Sequence, residues 1–236
     1  MDFSDNEPEY DVNIFNKKVG NHPYYQKVLD GTVTKGEINK LDSLVGVAVP
    51  KDKDELIKII EFYSKKYYSH SLNWLDVSGI IDMSRLFECT RYNGDISKWD
   101  TSNVTDMHCM FSYAKNFNQP IGDWDVSSVT NMQNMFNNAH KFNQPIGDWD
   151  VSNVINIKSM FEDAYVFNQD ISNWDVSNVT NMWNMFSHAE KFNTPIGEWD
   201  VSNVTDMSDM FYNAKKFNQP IGEWDVSNVT NMEGMF

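Results

Sequence analysis

The residues with the clearest chemical potential come in pairs, one on each side of a tryptophan. Asp123 and Asp125 flank Trp124, Asp148 and Asp150 flank Trp149, Glu198 and Asp200 flank Trp199, and Glu223 and Asp225 flank Trp224. Two further copies are mixed: Lys98 and Asp100 around Trp99, and Asn173 and Asp175 around Trp174. Two neighbouring carboxylates can do acid–base work, as in glycoside hydrolysis, hold a divalent cation, or meet a basic partner surface. Catalysis needs one differentiated pair in a cleft, whereas these pairs are near-identical from copy to copy. No nucleophile elbow, P-loop, zinc-protease or EF-hand motif occurs. The five histidines are scattered, and His108 and Cys109 are adjacent, which is no metal-ligand spacing. The chain therefore reads as a non-enzyme with no catalytic residue, no metal and no cofactor. Two readings of the acids stay open. They form a binding face, or they keep an exposed surface soluble while the second Asp of each pair caps the turn that follows it.

What positions the pairs is a repeat. Tryptophans 74, 99, 124, 149, 174, 199 and 224 recur every 25 residues, and only Trp183 falls outside the series. Aligned on them, the unit reads W-D-V-S-N-V-T-N-M-x-x-M-F-x-x-A-x-x-F-N-Q-P-I-G-[DE]. A fixed period of this length marks units that cannot bury an apolar face alone but can when stacked. In I-G-D-W-D-V (121–126) apolar and acidic residues alternate, which predicts a short strand with Trp124 and Val126 inside. Val129, Met132, Met135, Phe136 and Ala139 follow at spacings of three and four, which predicts a helical segment capped by the upstream Ser or Asn. The expected fold is thus an α/β solenoid: a leucine-rich-repeat-like right-handed superhelix with one short parallel strand and one helical segment per coil. Strand alternation would place Asp100, Asp123, Asp125, Asp148, Asp150, Asp175, Glu198, Asp200, Glu223 and Asp225 on its concave face.

Three organisational parts are expected. Residues 1–50 read as an acidic, partly flexible segment, and 51–70 as an amphipathic capping helix with Leu56, Ile59, Ile60 and Tyr63 on one side. Residues 71–236 hold about seven coils, the first degenerate and the last truncated. The acidity belongs to the coils. Residues 1–70 hold 12 acids and ten lysines, leaving 22 acids against nine basic residues beyond them, within a net charge of −15. That balance argues against nucleic acid and for a protein partner with a basic surface. No run of 18 apolar residues occurs, so no membrane span is expected. Cys89 and Cys109 are too few for a disulfide framework and read as reduced thiols.

Other columns read as structural. The methionines fill core gaps, and Asn118, Asn143, Asn168, Asn193 and Asn218 are expected to hydrogen-bond neighbouring backbone. The N-V-T sequons at Asn103, Asn178, Asn203 and Asn228 fall where turn capping already explains them. Trp183 stands where other copies have His108, Gln133, Lys158, Ser208 and Glu233, so it is expected on the convex flank. Two readings stay open there: a partner-contact residue or an isolated exposed aromatic.

The unit WDVSNVTNMxxMFxxAxxFNQPI resembles the repeat of the BspA-like leucine-rich-repeat surface proteins, in the form abundant in mycoplasma lipoproteins. DELIKIIEFYSKKYYSHSLNWLDVSGIIDMSRLF resembles the cap ahead of such repeats, so the likeness runs from about residue 50 to 236. It implies a cell-surface or secreted recognition protein, often an adhesin. The start MDFSDNEPEY is polar and acidic, unlike a secretory signal, which keeps a cytoplasmic scaffold or effector, or a structural spacer, as the alternatives. The last residues, N-M-E-G-M-F, stop mid-unit. The expectation is a fragment of a longer array, or self-association through an uncapped last coil.

Overall fold

The computed structural model describes residues 22–236, so the portion of the N-terminal reading that falls on 1–21 lies outside the described residues. Among the described residues there are three helices, α1 (Pro23–Leu29), α2 (Lys35–Leu41) and α3 (Lys53–Lys66), and no strand.

The helices start where their sequences provide caps. Thr34 and Glu37 form a reciprocal capping box at α2, and Asp52 accepts the Glu55 amide at the head of α3. Lys27 adds an ion pair to Glu37, which holds that carboxyl down at about 2. α3 buries Leu56, Ile59, Ile60 and Tyr63, and α1 packs against it through Tyr25 and Val28. Tyr25 and Tyr63 lie 6.1 and 6.4 Å from the Trp74 ring. Backbone joins the helical region to the first repeat: Val47 N–H donates to Trp74 O (2.8 Å), and Asp76 N–H donates to Ala48 O (2.8 Å). One apolar core therefore runs from Tyr25 to Trp224.

The expected α/β solenoid of strands and helical segments is not what the repeats form. Each unit is a series of turns, and its only ladder element is one isolated parallel bridge. These bridges connect Asp82, Asp106, Asn131, Asn156, Asn181, Asp206 and Asn231 in series. The strand reading of 121–126 fails because Trp124 N–H folds back to Ile121 O (3.2 Å). Two successive turns reproduce the in–out alternation that the sequence pattern assigns to a strand.

The helix reading fails for a different reason. Asn134 and Asn138 have φ of 56° and 57°, and the same two positions are left-handed in every unit from Arg85 and Cys89 to Asp209 and Asn213. A left-handed residue every four positions interrupts any α-helix. Asn, Asp, Ser and His, which supply most of these positions, include the non-glycine types that tolerate that region best. Their amides leave the unit: Met132, Asn134, Phe136 and Asn138 donate to Asn156, Lys158, Met160 and Glu162 at 2.8–2.9 Å.

Side chains complete the stack. Phe111, Phe136, Phe161, Phe186 and Phe211 form one face-to-face column with centroids 5.6–5.8 Å apart. Phe117, Phe142, Phe167, Phe192 and Phe217 form a second, and within a unit the two columns touch, as at Phe136 and Phe142 (3.8 Å). Such pairs add about 0.5–1.5 kcal/mol each beyond the area they bury. The repeat tryptophans sit beside them, and from Trp124 to Trp224 each indole N–H donates to an isoleucine carbonyl of the preceding unit, as Trp149 Nε1 does to Ile121 O (3.1 Å). Phenylalanine could fill that space but could not make that bond.

Candidate recognition surface

All ten acids of the candidate face are exposed, but they divide into two chemical kinds. Asp125 Oδ1 accepts from the Ser127 amide (3.0 Å) and hydroxyl (2.6 Å), closing a small turn two residues long. Asp100, Asp150, Asp175, Asp200 and Asp225 accept in the same way from Ser102, Ser152, Ser177, Ser202 and Ser227. These bonds favour the charged form, so the serines hold Asp125, Asp175, Asp200 and Asp225 below the usual carboxylate range.

The first acid of each pair does none of this. Asp123, Asp148, Glu198 and Glu223 sit on the preceding turn, exposed, with no hydrogen bond or ion pair among the described residues. Lys98 and Asn173 occupy their column in the other two units, so the row of free carboxylates is interrupted.

Trp183 is half-buried rather than fully exposed, because the Lys158 ammonium lies 4.1 Å from its ring centroid. The asparagine column is a continuous ladder: Asn143 N–H donates to Asn118 Oδ1 (2.9 Å), Asn168 N–H to Asn143 Oδ1 (2.9 Å), and so on to Asn218. The sequon asparagines also reach back one unit, Asn178 Nδ2 donating to Ser152 O (2.7 Å).

A second charged column is hidden by the acidic composition. Arg91, Lys141, Lys191 and Lys216 each precede the aromatic residue that leads into the asparagine ladder. Aligning the units on Tyr92, Phe117, Phe142, Phe192 and Phe217 instead of on the tryptophans makes it visible.

Among the described residues no group of three or more His, Cys, Asp or Glu is arranged to hold a metal ion, and both cysteines are free thiols. No helix among them is long and apolar enough to cross a membrane.

A tandem array of turn-built units, stapled unit to unit and carrying its charge in columns, is a repeat protein. The family described as "Mycoplasma protein of unknown function, DUF285" matches residues 59–174 and again 145–236, and the chain belongs to that family. No curated protein and no solved structure matches it.

Proposed function

We propose that this chain is a non-enzymatic recognition protein of the BspA-like surface type, binding a partner protein with a basic surface through the outer acids of its repeats. The observation that carries the reading is the division of labour within each pair. Asp125 and its equivalents are engaged by their own turns, but Asp123, Asp148, Glu198 and Glu223 make no hydrogen bond or ion pair among the described residues. Like charges repeated along a stack repel one another, and a cationic partner relieves that repulsion. The resemblance of the repeat unit to that of BspA-like proteins supports a place at the cell surface. An intracellular scaffold or a spacer is the competing reading, favoured by the interruptions at Lys98 and Asn173.

Reversal of Asp123, Asp148, Glu198 and Glu223 to Lys separates these readings. The full chain and the variant are passed over an immobilised panel of matrix and cell-surface proteins at two ionic strengths. The recognition reading expects salt-sensitive binding to at least one panel member, lost in the variant while the melting temperature holds. Binding to no panel member, or binding indifferent to the reversal, contradicts it.

A further inference from the structure

Where the helical region meets the first repeats, a cavity of about 530 Å³ opens on the flank that carries the basic column. Its walls include Tyr68, Arg91, Asn93, Asn116, Asn118 and Lys141, and no carboxylate lines it. In a chain of net charge −15, that is an unusual gap in the acidity.

The hydrogen bonds around the cavity sort its walls into donors. Asn93 Oδ1 accepts the Asn118 amide (2.8 Å) and Gln119 Nε2 (3.1 Å), and Asn118 Oδ1 accepts the Asn143 amide (2.9 Å). A backbone N–H can only donate, so these bonds fix which end of each side chain is oxygen. The two Nδ2 groups are left as donors with no acceptor among the described residues. Arg91 is held by Nε to Ser64 O (2.9 Å) and by Nη2 to Lys65 O (2.7 Å), with its guanidinium 5.0 Å from the Tyr68 ring centroid. That anchoring leaves Nη1 unused, and Lys141 has no ion pair among the described residues. Two cations and two amide donors thus surround a half-exposed aromatic ring.

We infer that this cavity binds an anionic saccharide, a uronate or sulfated sugar unit, with its acid group between Arg91 and Lys141. Planar guanidinium and ammonium groups suit a carboxylate or sulfate. The asparagine Nδ2 groups suit hydroxyl and ring oxygens, and Tyr68 offers an apolar face to sugar C–H groups. An acidic peptide fits less well. Its own backbone N–H groups need acceptors, and the Asn93 and Asn118 side-chain oxygens already accept within the ladder, which leaves Asn116 as the one lining asparagine with an unengaged oxygen. A bare inorganic anion leaves most of the volume unfilled. This site is independent of the acidic turns, and either can fail without the other.

Titration calorimetry on the full chain tests it, with four probes: a sulfated chondroitin disaccharide, a neutral lactosamine disaccharide, inorganic sulfate, and a glutamate-rich peptide. The test variant is Lys141→Glu, since Lys141 is exposed and contributes nothing to the fold's ion pairs. The inference expects the sulfated disaccharide to bind best, and K141E to weaken it by about tenfold or more. It is overturned if the sulfated disaccharide does not bind at millimolar concentration, or if K141E leaves its affinity unchanged. Equal or tighter binding of sulfate, the peptide or the neutral sugar overturns it as well.

Discussion

In α2 and α3 an amide donates to a carbonyl four residues back along its own chain, as Ile38 does to Thr34 and Leu56 to Asp52. In the repeats the amides of Met132, Asn134, Phe136 and Asn138 donate 24 residues ahead, and Thr130 donates 25 residues back to Thr105 (3.0 Å). A helix satisfies most of its backbone groups within itself. A repeat unit satisfies part of its own inside its turns, as Trp124 does with Ile121, and the rest only between two neighbours. The helical region is therefore locally specified, whereas the repeats gain stability through nearest-neighbour interfaces. Side chains on the outer turns can vary, as at Lys98 and Asn173, because neither makes an inter-unit hydrogen bond among the described residues; Lys98 reaches Asn73 Oδ1 (2.9 Å) through its backbone amide.

Removing a stacked ring should have the largest effect. Phe161 lies 5.7 Å from both Phe136 and Phe186, so Phe161→Ala opens a cavity shared by three units. A loss of about 3–5 kcal/mol is expected from urea unfolding, against about 2–5 kcal/mol for Leu56→Ala in α3. A loss below about 1 kcal/mol at Phe161 would break the account of the stack.

The sharpest contrast comes from one substitution made in both regions. A Cβ at Gly122 would run into the Pro145 carbonyl oxygen of the next unit, but one at Gly36 in α2 meets nothing. Gly122→Ala should cost about 1–3 kcal/mol, whereas Gly36→Ala should gain up to about 1 kcal/mol from helix propensity. Opposite signs in thermal melts sharpen the comparison, and equal signs erase it.

A smaller effect is expected at the left-handed positions. Asn184 has φ of 56° and its side chain makes no hydrogen bond. Asn184→Val should cost about 1–2 kcal/mol, and Asn184→Gly should be close to neutral, in the same unfolding assay.

The smallest effects separate the two acids of a pair. Asp125→Ala loses a turn and should cost about 0.5–1 kcal/mol, while Asp123→Ala should stay within about 0.5 kcal/mol of the parent. The turn aspartates also set a pH dependence. Their folded pKa values lie below the unfolded value of 3.8, so the stability they contribute is present above that value. It is lost as pH falls through the folded pKa values. Acid titration of Asp125→Asn, which keeps the acceptor but not the charge, should show a shallower decline below pH 4.

The periodicity, the buried Trp, Met and Phe columns and the face of α3 were all legible in the sequence, because apolar spacing reports burial directly. The backbone of the unit was not. Two consecutive turns give Asp123 to Val126 the same alternation as a strand, so period alone cannot separate them. The spacings at Met132, Met135, Phe136 and Ala139 imitate a helix, while Asn134 and Asn138 between them, both tolerant of left-handed φ, forbid one. The acid pairs were visible too. So was the turn-capping part of the second Asp, one of the two readings the sequence leaves open, and Ser127 and its equivalents bear it out. What the spacing concealed was that the first acid is left without a hydrogen-bond partner among the described residues. The basic cavity escaped for another reason: Tyr68 and Arg91 belong to the junction, where the repeat pattern carries least information.

Residue-resolved amide hydrogen exchange on the full chain tests the central claim, that each unit is held by bonds into its neighbours, most directly. The amides of Thr130, Met132, Asn134, Phe136 and Asn138 should exchange slowly and at a common rate, set by loss of the stack rather than of one unit. Exchange of Asn134 and Asn138 at unfolded-chain rates, with protection confined to the turns inside a unit, would contradict it.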